Sequence, residues 1–315
     1  MPLSEFEIIH QIFQQQKVER SDVVIGIGDD AAVIDVPAGF ELAVSTDTLI
    51  ANVHFPEDMK PKDIGYRALA VNLSDLAAMG AEPAWMTLAL TLPEANNVWL
   101  KAFSSGLFRL AEQYDVQLIG GDTTRGALSI TLQLHGFLPK GRRLTRSGAQ
   151  VGDGIYVTGT LGDAAAGLKC WMRNEQSSVW LKQRLARPTP RVETGIALRD
   201  LATSAIDISD GLLADLGHIL DASHVGARLN LANLPLSLAI CETVELEQAR
   251  ELALTGGDDY ELCFTVPEDK EDEVIRLGDL CQITMIGRVE AEPGLRCMLG
   301  AVEYTLSDQG YQHFS

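Results

Sequence analysis

The sequence predicts an α/β protein of two domains, and three observations point there. Its 315 residues match two domains at roughly 150 each. Hydrophobic residues make up 46% and charged residues 22%, the balance of a chain that buries a core. Short apolar runs of strand period take turns with longer stretches of helical period along the whole length. The formal charge of −19, from 25 basic and 44 acidic side chains, repels phosphate backbones and anionic lipid, so neither nucleic acid nor a membrane is expected as a partner.

Residues 3–17 read as an amphipathic helix. Strands are expected at 23–27 and 31–36 around Gly26-Ile27-Gly28-Asp29-Asp30, which places the acidic pair in a turn. A strand over 41–45 ends in Ser45-Thr46-Asp47-Thr48, read as a loop. Pro61 suits the first turn of a helix that carries Asp75 and reaches about Met79, where Gly80 ends it and Pro83 prevents continuation. Next come a strand at 85–92, a helix at about 97–114 and a strand at 116–119 that runs into Gly120-Gly121-Asp122-Thr123-Thr124. Residues 128–137 alternate as a further strand, and the polar, Gly-rich stretch from 139 to 154 reads as an interdomain connection. The domains are therefore expected at 1–150 and 151–315.

The second half restarts with a strand at 154–158 and two helical segments on either side of Arg187-Pro188-Thr189-Pro190-Arg191, a loop that two prolines make rigid. A strand at 204–208 leads through Asp207-Ile208-Ser209-Asp210-Gly211 into a helix reaching about Ala222. A strand at 227–231 and a helix near 246–254 precede Gly256-Gly257-Asp258-Asp259-Tyr260-Glu261 and a strand at 261–266. The five cysteines are odd in number and show no C-x-x-C pairing, which fits reduced thiols. The N-terminus lacks the basic and apolar regions of an export signal, and the apolar run from Ala68 to Leu92 is broken by polar residues and Pro83. A cytoplasmic location is expected.

The acids are distinctive by position. Asp29, Asp30, Asp47, Asp75, Asp122, Asp207, Asp210, Asp258 and Asp259 lie within two residues of Gly, Ser or Thr, mostly at expected element ends. Any one of them reads equally as a helix cap or turn residue. Four or more that converge would require cations. Asp and Thr oxygens suit Mg²⁺, which is held by a few carboxylates together with substrate phosphates. Zinc fits less well, because no His/Cys cluster at ligand spacing appears. Magnesium in turn points to a nucleotide, although neither a P-loop nor a dinucleotide fingerprint is present. The run Lys140-Gly141-Arg142-Arg143-Leu144-Thr145-Arg146 reads either as a solvated loop or as a phosphate clamp, with Arg146 the candidate.

Taken in order, G-I-G-D-D (26–30), S-T-D-T (45–48), A-V-N-L-S-D-L-A-A-M-G-A (70–81), G-G-D-T-T (120–124), D-I-S-D-G (207–211) and G-G-D-D-Y-E (256–261) closely resemble the thiamine-monophosphate kinase family, within the superfamily that includes aminoimidazole ribonucleotide synthetase. The resemblance spans nearly the whole chain. It implies an N-terminal α/β domain that binds ATP and Mg²⁺ and pairs its strands across a homodimer, and a C-terminal α/β domain that completes the nucleotide and substrate site. The implied reaction moves the γ-phosphoryl group of ATP directly to thiamine monophosphate, giving thiamine diphosphate and ADP.

The resemblance further implies Asp30, Ser45, Thr46, Asp47, Asp75, Asp122, Asp207 and Asp210 as Mg²⁺ ligands, with Asp47, Asp75, Asp122 and Asp210 the catalytic carboxylates. It implies Gly121, Asp122, Arg146 and Ser209 as nucleotide contacts, and His54, Asp258 and Tyr311 as substrate contacts. At 258 the family more often has Glu, so here the carboxylate is one methylene shorter. Two alternatives are a sibling enzyme that activates another acceptor with ATP, and a non-enzymatic divalent-ion-binding module. The sibling types fit less well, since the first cysteine is Cys170 and the chain ends Tyr311-Gln312-His313-Phe314-Ser315.

Overall fold

Residues 4–174 and 179–304 are described in the structure, a computed structural model; Tyr311 lies outside the described residues. The chain divides into two units, one comprising residues up to Leu76 and Ala81–Gly141, the other Ala77–Gly80 and everything from Arg142 onward.

The first unit opens with α1 (Glu5–Gln11). Its capping box fixes the start: Ser4 Oγ accepts the Glu7 N–H while the Glu7 carboxylate accepts the Ser4 N–H at 2.8 Å. The helix is shorter than expected, because the chain tightens into a 3₁₀ turn at Phe13–Gln15. Strands β1 (Val23–Ile25) and β2 (Val33–Ile34) form a two-stranded antiparallel ribbon. Then follow β3 (Phe40–Ile50), α2 (Pro61–Ala78), β4 (Glu82–Leu92), α3 (Asn97–Gln113), β5 (Gln117–Arg125) and β6 (Ser129–Pro139). The sheet order is β3-β6-β4-β5, with β4 and β5 parallel and the other pairs antiparallel.

Two expectations change here. Ser45-Thr46-Asp47-Thr48 is strand, since β3 pairs with β6 along its whole length from Phe40 opposite Pro139 to Ile50 opposite Ser129. The run is polar but alternating: Ser45 and Asp47 are half-buried, while Thr46 and Thr48 are exposed on the other face. That period of two, with β-branched Thr at the outward positions, is strand chemistry. Likewise Gly120–Thr124 continues β5, paired with β4 as far as Arg125 opposite Leu92. Asp47 and Asp122 are therefore strand residues.

Helices α2 and α3 meet at two glycines. A Cβ on Gly65 would lie 2.1 Å from the Phe103 carbonyl oxygen, and one on Gly106 would lie 1.8 Å from that of Lys62. Only hydrogen fits between the two backbones there. Around the crossing Leu69, Leu73, Leu100, Phe103 and Leu107 are completely buried. At the other side of the sheet Trp85 packs edge-on against Phe137 with ring centroids 5.0 Å apart, and its indole N–H donates to Asp22 at 2.8 Å. Arg20 donates two further bonds to that carboxylate, at 3.0 and 2.7 Å.

The second unit contains β7 (Gly154–Thr158), α4 (Asp163–Met172), α5 (Val179–Ala186), α6 (Val192–Leu198), β8 (Ser204–Asp207), α7 (Leu212–Ser223), β9 (Gly226–Asn230), α8 (Leu238–Thr243), α9 (Leu246–Thr255), β10 (Leu262–Val266), α10 (Glu271–Arg276), β11 (Ile283–Glu290), β12 (Gly294–Leu299) and β13 (Val302–Glu303). Seven strands make one sheet in the order β13-β12-β9-β11-β7-β10-β8, antiparallel except for β12 against β9. Strands β7, β8 and β10 are buried throughout, with Ile155, Val157, Ile206 and Cys263 in a core that also takes Leu212, Leu216 and Ile219 of α7. Among the described residues no helix is long and apolar enough to cross a membrane.

Candidate active site

In the first unit the register of β3 turns Ser45 and Asp47 to one face, and α2 presents Asp75 to them. Ser45 Oγ donates to Asp75 Oδ2, and the Asp47 and Asp75 carboxyls are hydrogen-bonded neighbours. Burial first, and the Asp75 charge second, push the Asp47 carboxyl up to about 7. A hydroxyl and two carboxylates that cannot both ionise comfortably form a hard-oxygen donor set short of a cation. Mg²⁺ is characteristically held by one or two carboxylates plus phosphates, so these residues fit it. Thr46 points its side chain to the opposite face, where its Oγ1 accepts from Gln133 at 3.3 Å.

His54 follows β3, in a turn where its N–H donates to the Ile50 carbonyl at 2.9 Å and its Nδ1 accepts the Ile50 N–H at 3.0 Å. With Nδ1 accepting, the neutral ring carries its proton on Nε2, a donor suited to a phosphate oxygen.

Asp30 and Asp122 meet a different surface. They line a cavity of about 570 Å³ in the same unit, walled by the Gly26–Ala32 turn, Gly120–Thr123 of β5 and the Phe6, Ile9 and His10 side chains. A bulge at Ile119 precedes this wall, as the β4–β5 register shifts between Met86 opposite Leu118 and Thr87 opposite Gly120. Such bulges re-aim the strand that carries them. Gly121, at φ +152°, lies so close to β4 that a Cβ there would be 1.9 Å from the Leu88 carbonyl oxygen. Backbone amides, two exposed carboxylates and a partly apolar wall suit a polyphosphate attached to a planar base. Among the described residues no group of three or more His, Cys, Asp or Glu side chains meets at metal-binding spacing. Within the first unit Asp47 and Asp75 meet as a pair.

In the second unit two loops lie side by side. Asp207 ends β8, buried, opposite Leu262 of β10. Beyond it the amides of Ser209 and Asp210 donate to Asp215 Oδ2 at 2.9 and 3.0 Å, so the first turn of α7 holds the loop. Burial, with Asp210 nearby, raises the Asp215 carboxyl to about 6, against the lowering pull of these amides. The 256–260 segment runs along this loop: the Asp258 N–H donates to the Ser209 carbonyl and the Tyr260 N–H to that of Ile208, both at 2.8 Å. Ser209 and Asp258 are thus brought together. Asp258 and Tyr260 have φ of 73° and 49°, left-handed values that cost non-glycine residues about 1–3 kcal/mol each. Arg146 is exposed, on a segment tied by the Ser223 hydroxyl, which accepts from the Gly148 and Ala149 amides at 3.1 Å. Arg142 of the same basic run pairs with Asp200 instead.

Sequence reasoning missed the supports. Asp215, Arg184, Arg191 and Glu261 hold the two loops. Glu261 ends the Gly256–Glu261 motif and the arginines lie at or near the two-proline loop, but only the folded chain puts them on one another.

Family models describe the two halves: the AIR synthase related protein N-terminal domain matches residues 28–138, and the corresponding C-terminal domain matches 150–300. A thiamine-monophosphate kinase from Escherichia coli strain K12 is 54% identical over 323 aligned positions, covering 100% of this chain and 99% of that protein. The chain belongs to the thiamine-monophosphate kinases of the AIR synthase related family. Among solved structures, the thiamine-monophosphate kinase from Stenotrophomonas maltophilia K279a aligns with a TM-score of 0.88 at 47% identity, over 96% of this chain and 99% of that one. AaThiL complexed with AMPPCP and TMP aligns at 0.78 and 32% identity, over 100% and 99%. Kinase family membership thus extends from the first strand to the last described one.

Proposed function

We propose that this chain transfers the γ-phosphoryl group of ATP to thiamine monophosphate, releasing thiamine diphosphate and ADP. The Asp47–Asp75 contact supports the reaction class most directly, because a carboxylate pair poised for a divalent cation is what transfer between two anions needs. The full-length match to thiamine-monophosphate kinases supports the acceptor. Sibling chemistry on another acceptor and a purely ion-binding role are not favoured by that match.

In this reading Ser45, Asp47 and Asp75 hold Mg²⁺ in the first unit, and Asp30 and Asp122 take a share beside the cavity. Bound there, Mg²⁺ would neutralise phosphate charge and act as a Lewis acid. Gly121 and its neighbours let backbone amides approach phosphate oxygens; among the residues of the second unit, Arg146 and Ser209 are the candidate nucleotide contacts and Asp207 and Asp210 the candidate Mg²⁺ ligands. His54 Nε2 donates to a substrate phosphate. Asp258 attracts the cationic thiazolium ring of the acceptor, and Tyr311 is the candidate aromatic face. No side-chain base is needed, since a phosphate monoester is largely ionised near neutrality, with a second pKa of about 6. The protein's task is to position two anions and suppress their repulsion.

A homodimer and a cytoplasmic location complete the proposal. The outward face of β3, an edge strand, exposes Leu42, Val44 and Ile50, which suits pairing with a second copy. None of the five cysteines is in a disulfide, which suits a reducing compartment. Incubation with ATP, Mg²⁺ and thiamine monophosphate tests the reading: thiamine diphosphate and ADP in equal amounts are expected, and their absence would refute it.

A further inference from the structure

Glu261 is completely buried, yet it receives two guanidinium groups. Arg184, near the end of α5, donates from Nη2 to Oε1 at 2.8 Å; Arg191, at the start of α6, donates from Nε to Oε2 at 2.6 Å and from Nη2 to Oε1 at 2.7 Å. Thr158 of β7 adds its hydroxyl to Oε2 at 2.7 Å. The arginines stand seven positions apart, across the Pro188 and Pro190 loop whose fixed φ angles hold the span stiff. A buried ion cluster of this kind is weak as a source of stability, since apolar side chains of similar volume often serve as well. What such a cluster does supply is orientation, because each fork admits one geometry.

The orientation is transmitted to the segment that carries Asp258. Arg184 Nη2 also donates to the Asp259 carbonyl at 3.2 Å, and Asp259 Oδ2 accepts the Gly162 N–H at 2.8 Å. Asp259 and Glu261 are thus gripped from within the core. Asp258 and Tyr260, in left-handed conformations on either side of Asp259, remain half-buried and bonded to each other, the Tyr260 hydroxyl donating to Asp258 Oδ1 at 3.2 Å. The neighbouring 207–211 loop has its own anchor in Asp215.

We infer that Arg184 and Arg191, acting through Glu261, are positioning residues for the acceptor: they set the 256–260 backbone so that Asp258 faces the thiazolium end of the substrate. The inference rests on the kinase reading above. It also gives a use to the shortened side chain at 258, which has less reach to absorb a displaced backbone.

Arg191→Lys keeps the charge and removes the fork, and steady-state kinetics with each substrate varied separately read the result. KM for thiamine monophosphate is expected to rise at least tenfold, with KM for ATP changed less than threefold. In an Asp258→Ala background the same change should add less than a twofold further rise, because the residue it positions is gone. Glu261→Gln, nearly isosteric, repeats the test from the other partner should Arg191→Lys fail to fold. An unchanged KM for thiamine monophosphate in a folded variant, equal rises for both substrates, or full additivity with Asp258→Ala would each overturn the inference while leaving the kinase reading intact. A wild-type protein that forms no thiamine diphosphate would overturn both.

Discussion

Burial first, and the neighbouring Asp75 charge second, let Asp47 hold its proton up to about 7, since two ionised carboxylates repel by roughly 4 kcal/mol at about 4 Å and an effective dielectric near 20. This tension makes the pair a cation seat. Asp75→Asn or Asp122→Asn is expected to lower thiamine diphosphate formation at least a hundredfold with the circular dichroism spectrum retained; near-normal turnover in either folded variant removes that residue from the mechanism. Asp22 shows the opposite balance. Burial alone would raise its pKa, but the bonds from Arg20 and Trp85 and the Arg20 charge outweigh it, leaving the carboxyl below the ordinary 3.8. A lowered folded value means the contribution is present above the unfolded pKa and lost as pH falls through the folded one. Asp22→Asn should therefore cost about 1 kcal/mol near neutrality and flatten the decline in denaturation midpoint below about pH 4; an unchanged acid limb counts against the assignment.

Elements were legible in proportion to their periodicity. The helix from Pro61 and the strand at 154–158 match their expected bounds within a residue, since a proline start and an unbroken apolar run leave little choice. The Ser, Thr, Asp and Gly around Asp47 and Asp122 predict loops, and the ladders to β6 and β4 override that composition. The strands past 280 carry mixed burial with few clean alternations and gave no signal. In the candidate site, the acids themselves were visible as Gly-Asp and Ser-Asp motifs, while their anchors were not, because a support is defined by what it touches. Asp215 illustrates this. Asp215→Ala leaves the Ser209 and Asp210 amides without their acceptor, so KM for ATP should rise at least fivefold and KM for thiamine monophosphate much less. Kinetics with both substrates in turn would read the difference, and an effect confined to the acceptor would contradict the assignment of that loop to the nucleotide.

At the scale of the whole molecule the net charge of −19 opposes unspecific association, so a specific dimer needs an apolar face such as that of β3. Val44, 53% exposed, is the position to test. If the proposed homodimer forms through this face, Val44→Lys should sediment as a monomer and the parent chain as a dimer; a dimer in both would move the interface elsewhere. The glycine notch between α2 and α3 acts over a longer range. Ten residues separate Gly65 from Asp75 on one helix, about 15 Å at 1.5 Å per residue. A methyl group at Gly65 must push the whole rod aside, carrying the aspartate with it. Gly65→Ala would then present at the bench as a magnesium-affinity defect, partly corrected by raising the salt of that metal, whereas Asp75→Asn would stay dead at any dose. A geneticist ranking variants by nearness to the chemistry would overlook it.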